Sequence, residues 1–123
     1  MKIKEKKYRK YEGRENNFQT TVASYLDSLG VLWFHCPNGG SRHRLEAINL
    51  KKQGVKSGVP DVMIIEPKGK YIGLAIELKV GYNKPKEEQE KWLKKLSDRG
   101  YKTCWTNSLD ECIDIIDEYL KNK

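Results

Sequence analysis

The run Ile72-Gly73-Leu74-Ala75-Ile76-Glu77-Leu78-Lys79-Val80 alternates between two faces, a period that suits a β-strand and no helix. Ile72, Leu74, Ile76, Leu78 and Val80 make one face; Gly73, Ala75, Glu77 and Lys79 make the other. Strand surfaces favour Thr, Val and aromatic residues, so small residues followed by an acid and a base point to something other than generic surface. The ordinary alternative is a solvated face carrying an i, i+2 ion pair.

The preceding segment supplies a partner. Val59–Glu66 reads as a strand, Tyr71–Val80 as the next, and Pro67-Lys68-Gly69-Lys70 as the turn between them. Centred near Gly69, this hairpin lays Asp61 opposite Glu77 on the same side of the sheet. Opposed carboxylates repel. They become sensible with a divalent cation between them, since hard cations take carboxylate oxygens. A slip of one residue would instead put Asp61 on the other face. Lys79 would face the same ion, placed to stabilise charge on a phosphorane or to orient an attacking water. The metal would supply Lewis acidity and a hydroxide-like nucleophile. Such a set suits phosphodiester hydrolysis.

Elsewhere the apolar period is helical. Phe18, Val22, Tyr25, Leu26 and Leu29 mark a helix over Glu15–Leu29, closed by Gly30. Val31–Cys36 reads as a strand, and Pro37-Asn38-Gly39-Gly40-Ser41 breaks regular structure. Residues 42–58 read as a loop with a helical turn around Leu45–Leu50. A helix starts near Pro85 and shows Gln89, Trp92, Leu93 and Leu96 on one stripe. Gly100 ends it, Tyr101–Thr106 is a strand, and Leu109–Leu120 is a last amphipathic helix. The order α-β-β-β-α-β-α implies one mixed sheet with helices packed on it, an α/β fold. A chain of 123 residues suits a single domain. Residues 1–14 are expected to form a basic arm, flexible or ill-ordered over residues 1–12, and residues 15–123 the domain.

The net charge of +7 is concentrated in that arm, which carries Lys2, Lys4, Lys6, Lys7, Arg9, Lys10 and Arg14. Such an imbalance suits a polyanionic partner, though it also serves solubility alone. Cys36, Cys104 and Cys112 are an odd number without CxxC spacing, which argues against a disulfide framework and a zinc knuckle and for a reduced cytoplasmic setting. His35, Cys36 and His43 read as ordinary packing rather than a zinc site. No apolar run approaches the ~20 residues of a membrane span.

Two further polar residues stand out. Glu15 falls in the first turn of its helix, where an acid ordinarily complements the macrodipole; the functional reading is a third carboxylate at the metal site. Gln89 lies on the apolar stripe of its helix, either as a satisfied boundary glutamine or as a hydrogen-bonding partner of a metal-bound water or phosphate oxygen.

These residues resemble a family. Pro37-Asn38-Gly39-Gly40-Ser41-Arg42, Gly58-Val59-Pro60-Asp61, Ile76-Glu77-Leu78-Lys79-Val80, Glu88-Gln89 with Trp92-Leu93 and Leu96, and Gly100-Tyr101, in that order and spacing, resemble the VRR-NUC domain of the PD-(D/E)xK superfamily over about residues 15–120. The resemblance implies a restriction-endonuclease-like α-β-β-β-α-β core followed by a C-terminal helix. It implies Mg²⁺ or Mn²⁺ and the cutting of DNA junctions, flaps and branches. By resemblance Asp61 and Glu77 are metal ligands, the carbonyl of Leu78 completes the metal shell, Lys79 is the catalytic lysine, and Glu15 and Gln89 complete the set. Short stand-alone versions from bacteriophages and bacteria resemble Holliday junction resolvases acting as homodimers, because two symmetric cuts need two sites. That setting would be a bacterial or phage-infected cytoplasm. The chain departs from the family at Asn83-Lys84-Pro85-Lys86, where a Ser or Thr cap is missing and Asn83 would substitute.

For DNA contact, Asn38, Gly39, Gly40, Arg42, His43 and Arg44 form a glycine-containing basic loop, followed by Lys51, Lys52 and Lys56. Such contacts would set register without reading sequence. A solvated loop is the ordinary alternative. Three functional readings follow: a structure-directed endonuclease acting on junctions or other branched DNA, a restriction-like or nicking endonuclease on duplex DNA, and a non-catalytic DNA-binding module on the same fold.

Overall fold

The computed structural model describes residues 7–37 and 44–123. Glu15–Leu29 forms helix α1, with Phe18, Val22 and Leu26 one turn apart and fully buried. Gly30 ends it in the left-handed conformation at φ 69°, where its N–H donates to Asp27 O. Strand β1 is only Trp33–Phe34, shorter than the Val31–Cys36 expected. Beside it, Leu32 N–H donates to the Glu66 carboxylate at 2.9 Å, so a side chain takes the place of a ladder acceptor.

Arg44–Lys52 forms helix α2 where a loop with one turn was expected. None of its residues is buried. Its composition explains it locally: Leu, Ala and Lys are good helix formers, with Glu46 in the first turn and Lys51 and Lys52 in the last.

Strands β2 (Val62–Ile64) and β3 (Gly73–Leu78) are also shorter than expected. Their register pairs Val62 with Ile76, Met63 with Ala75 and Ile64 with Leu74, the pairing that a turn centred on Gly69 requires. The ladder stops above Val62 because Leu78 N–H donates to Asp61 Oδ2 at 2.9 Å instead of to a strand carbonyl. Helix α3 (Glu87–Asp98) begins two residues beyond Pro85, with Lys86 as its N-cap. It carries the chain to β4 (Tyr101–Thr106), which pairs in parallel with β3. Ser108 then caps helix α4 (Leu109–Lys121) by accepting Glu111 N–H at 3.3 Å.

The sheet order is β1-β2-β3-β4, antiparallel except for the last pair. One face carries the core: Val62, Ile64, Leu74, Ile76 and Leu78 pack against Phe18, Val22 and Leu26 of α1 and Cys112, Ile116 and Tyr119 of α4. Helix α3 packs on β4 and β3. Every residue of β3 is buried, Glu77 included, so the solvated-face alternative does not hold.

The described start of the chain departs from the flexible arm expected. Tyr11 N–H donates to Asn107 O at 2.6 Å, Gly81 N–H donates to Tyr11 O at 2.7 Å, and the Tyr11 ring lies 4.6 Å from Phe18. Tyr8 Oη donates to Asp114 Oδ2 at 3.2 Å. This segment is docked. Burial pushes the Cys104 and Cys112 thiols up to about 12, so both are neutral core thiols. Among the described residues no helix is long and apolar enough to cross a membrane.

Candidate active site

Asp61 and Glu77 sit where β2 and β3 stop pairing. The observed register, continued by one residue, sets them opposite each other, on the side of the sheet away from the core. They are 7% and 1% exposed, unusually low for two acids. Asp61 is held from both ends: its Oδ2 accepts Leu78 N–H, and its backbone O lies 2.7 Å from His35 Nδ1. Glu77 lies beside Asp61, and its buried Oε2 has no partner among the described residues. Burial raises the Glu77 carboxyl far above the usual range, and the neighbouring Asp61 carboxyl raises it further. Lys79 opposes that shift and Glu15 adds to it, so the charges of all three neighbours reach Glu77.

Lys79 follows at the end of β3, its backbone N–H fixed to Thr106 O at 2.9 Å. Its side chain, with Glu15, Leu78, Val80, Asn83, Lys84 and Lys86, lines a cleft of about 320 Å³. Asp61 and Glu77 are not in the wall of this cleft. Glu15 is exposed in the first turn of α1, and among the described residues no group of three His, Cys, Asp or Glu is close enough to hold a metal ion. The structure therefore gathers Asp61, Glu77, the Leu78 backbone and Lys79, with Glu15 at the rim.

Gln89 acts locally. Its Oε1 accepts Lys86 N–H at 2.8 Å and so satisfies the start of α3, where no hydroxyl cap is present; this role falls to Gln89 rather than to the Asn83 expected. Arg44 and Lys52 are exposed on α2 and Lys56 on the loop after it. Asn38, Gly39, Gly40, Arg42 and His43 lie outside the described residues.

Several neighbours escaped sequence reasoning. Asn83, Lys84 and Lys86 line the cleft, and the only hint was two lysines flanking Pro85. His35 gave no sign of its contact to Asp61. Gly58, at φ +86°, allows the loop before Asp61 to seat on α3: a Cβ there would meet Glu88 O at 2.9 Å. Ser57 Oγ donates to Glu88 Oε2 at 3.0 Å beside it.

Two comparisons bear on this site. The family model described as "VRR-NUC domain" matches residues 3–108. A solved structure titled "VRR_NUC domain protein" is similar at a TM-score of 0.75 and 28% identity, covering 90% of this chain and 92% of that one. A second, titled "VRR_NUC domain", has a TM-score of 0.58 and 23% identity, covering 85% and 96%, a likeness of fold. Among curated proteins nothing matches.

Proposed function

Because this chain belongs to the VRR-NUC domain family, a nuclease-like family, we propose that it is a divalent-metal-dependent endonuclease that hydrolyses branched DNA. Asp61 and Glu77 would hold the metal with the Leu78 carbonyl, and Lys79 would act on the reacting phosphate. The observation that carries this reading is the buried Asp61–Glu77 pair, with Glu77 Oε2 unbonded and Lys79 alongside. Two adjacent buried acids, with burial and the Asp61 neighbour raising the proton affinity of Glu77, are destabilising alone and fit a hard cation well.

Mg²⁺ or Mn²⁺, when bound, supplies Lewis acidity and a water of lowered pKa. The protein's own groups do the rest. Leu78 N–H fixes the Asp61 carboxylate. Glu77 must give up its proton to become a ligand. The Lys79 ammonium offers positive charge where the phosphate oxygens gain negative charge as water attacks phosphorus. Lys84 and Lys86, in the wall of the same cleft, suit the flanking phosphates. Glu15 adds a carboxylate at the rim of the cleft, and Gln89 fixes the turn that carries Lys86.

Two identical sites would make paired cuts across a four-way junction, so the active form is proposed to be a homodimer. Incubation with a four-way junction, a flap and a linear duplex, with Mg²⁺ or with EDTA, tests the reading. Cutting of branched DNA only with the metal is expected. Cutting confined to particular duplex sequences would favour a restriction-like enzyme, and binding without cleavage under any ion would leave a DNA-binding module.

A further inference from the structure

Tyr82 is 84% exposed, more than any other large apolar side chain among the described residues. Burial does not explain it, and its place on the chain is not casual. It follows Gly81, whose backbone is pinned on both sides: its N–H donates to Tyr11 O at 2.7 Å and its O accepts Asn107 Nδ2 at 2.9 Å. The positive φ of Gly81, 57°, turns the chain outward at that point. Val80 before it and Asn83 after it both line the lysine cleft. Lys10 lies 3.4 Å from the centre of the Tyr82 ring and so covers one of its faces.

An aromatic ring held by a fixed turn, covered on one face by a cation and set beside a cleft carrying Lys79, Lys84 and Lys86, matches what single-stranded nucleic acid requires. Lysines take the backbone phosphates and an aromatic face takes a base. We propose that Tyr82 is a stacking platform for one unpaired base of the DNA strand whose phosphates enter the lysine cleft. A base inside a continuous duplex has both faces stacked on its neighbours and cannot use it. A flap or an opened branch point would offer such a base beside the cut, which gives the proposed choice of branched substrates a physical source. The proposal rests on the nuclease reading for its consequence, but the binding it describes needs no cleavage.

The test uses the full chain in EDTA, with a short labelled oligothymidylate and an abasic deoxyribose-phosphate strand of equal length. The parent protein is expected to bind the thymidine strand about tenfold tighter than the abasic one, the low end of what one stacked base contributes. Tyr82→Ala should bring that ratio close to one while leaving affinity for the abasic strand unchanged. Tyr82→Trp should keep the ratio, and its fluorescence should be quenched by the thymidine strand alone. A parent protein that does not distinguish the two strands, or a Tyr82→Ala variant that keeps the tenfold ratio, overturns the proposal. A parent protein with the ratio but no cleavage of any DNA would sink the nuclease reading and leave the stacking site standing.

Discussion

At Glu77 a carboxyl with 1% exposure stands beside a second acid, and one of its oxygens is unbonded. In the metal-free protein burial and Asp61 keep it protonated well above the pH at which it ionises in the unfolded chain, where the ordinary value is 4.5. The sign follows directly. Above that pH the unfolded state has lost a proton that the folded state retains, so this group lowers stability progressively as pH rises toward its folded value. Glu77→Gln keeps the shape, stays neutral and can donate to Asp61. In EDTA at pH 8 it should gain roughly 1–3 kcal/mol, several degrees in thermal midpoint, with little gain near pH 4. The same variant should not cleave. A lower midpoint at pH 8 would mean that Glu77 is ionised and satisfied, contrary to the orphaned oxygen. For Lys79→Ala the expectation concerns rate: cleavage falls by about 10²–10³, the usual cost of removing one donor aimed at developing charge, while junction binding in EDTA weakens only modestly. Parent-like cleavage by this variant would remove Lys79 from the chemistry.

The strand β3 is where backbone geometry is least forgiving. A Cβ on Gly73 would lie 2.5 Å from the Tyr101 ring and 2.7 Å from Ile64 O. The ring can turn, but the carbonyl belongs to the β2–β3 pair and cannot move without opening it. Gly73→Ala should therefore cost about 1–3 kcal/mol, read as a lower urea midpoint at unchanged slope. The same strand shows what could be read in advance. Its period-2 pattern and the turn at Gly69 specify the register that brings Asp61 to Glu77, and the 3.6 period marks α1 and α4, which bury a stripe, and α3, whose stripe of Gln89, Trp92, Leu93 and Leu96 is half-buried. Helix α2 escaped because it is exposed at every residue but Leu50, leaving no stripe to find. The strands end early for a reason local patterns do not encode: the Asp61 and Glu66 side chains take backbone donors that a ladder would otherwise use. The lysine cleft and Tyr82 were invisible because the turn that carries them is held by Tyr11 and Asn107, both distant in sequence.

Over the whole molecule the positive charge and the fold meet in the same few residues. The arm contributes lysines to the net charge of +7 and also contributes Tyr11, which packs on Phe18 and binds the Gly81 turn. The family match begins at residue 3, within this arm. Substitution separates the two contributions. Changing Lys4, Lys6 and Lys7 to Gln removes charge and leaves Tyr11 in place. The thermal midpoint should hold, while the slope of log affinity for junction DNA against log salt should become shallower by about 0.9 for each phosphate no longer neutralised. Tyr11→Ala keeps those lysines but removes a half-buried ring packed on α1. It should lower stability by roughly 1–3 kcal/mol, and cleavage should fall with it, because without the ring on Phe18 the backbone of residue 11 is held less firmly against the Gly81 turn. Salt titrations and thermal melts on both variants decide the matter: if the lysine variant melts early with its salt slope unchanged, the arm's charge serves the fold and not the nucleic acid.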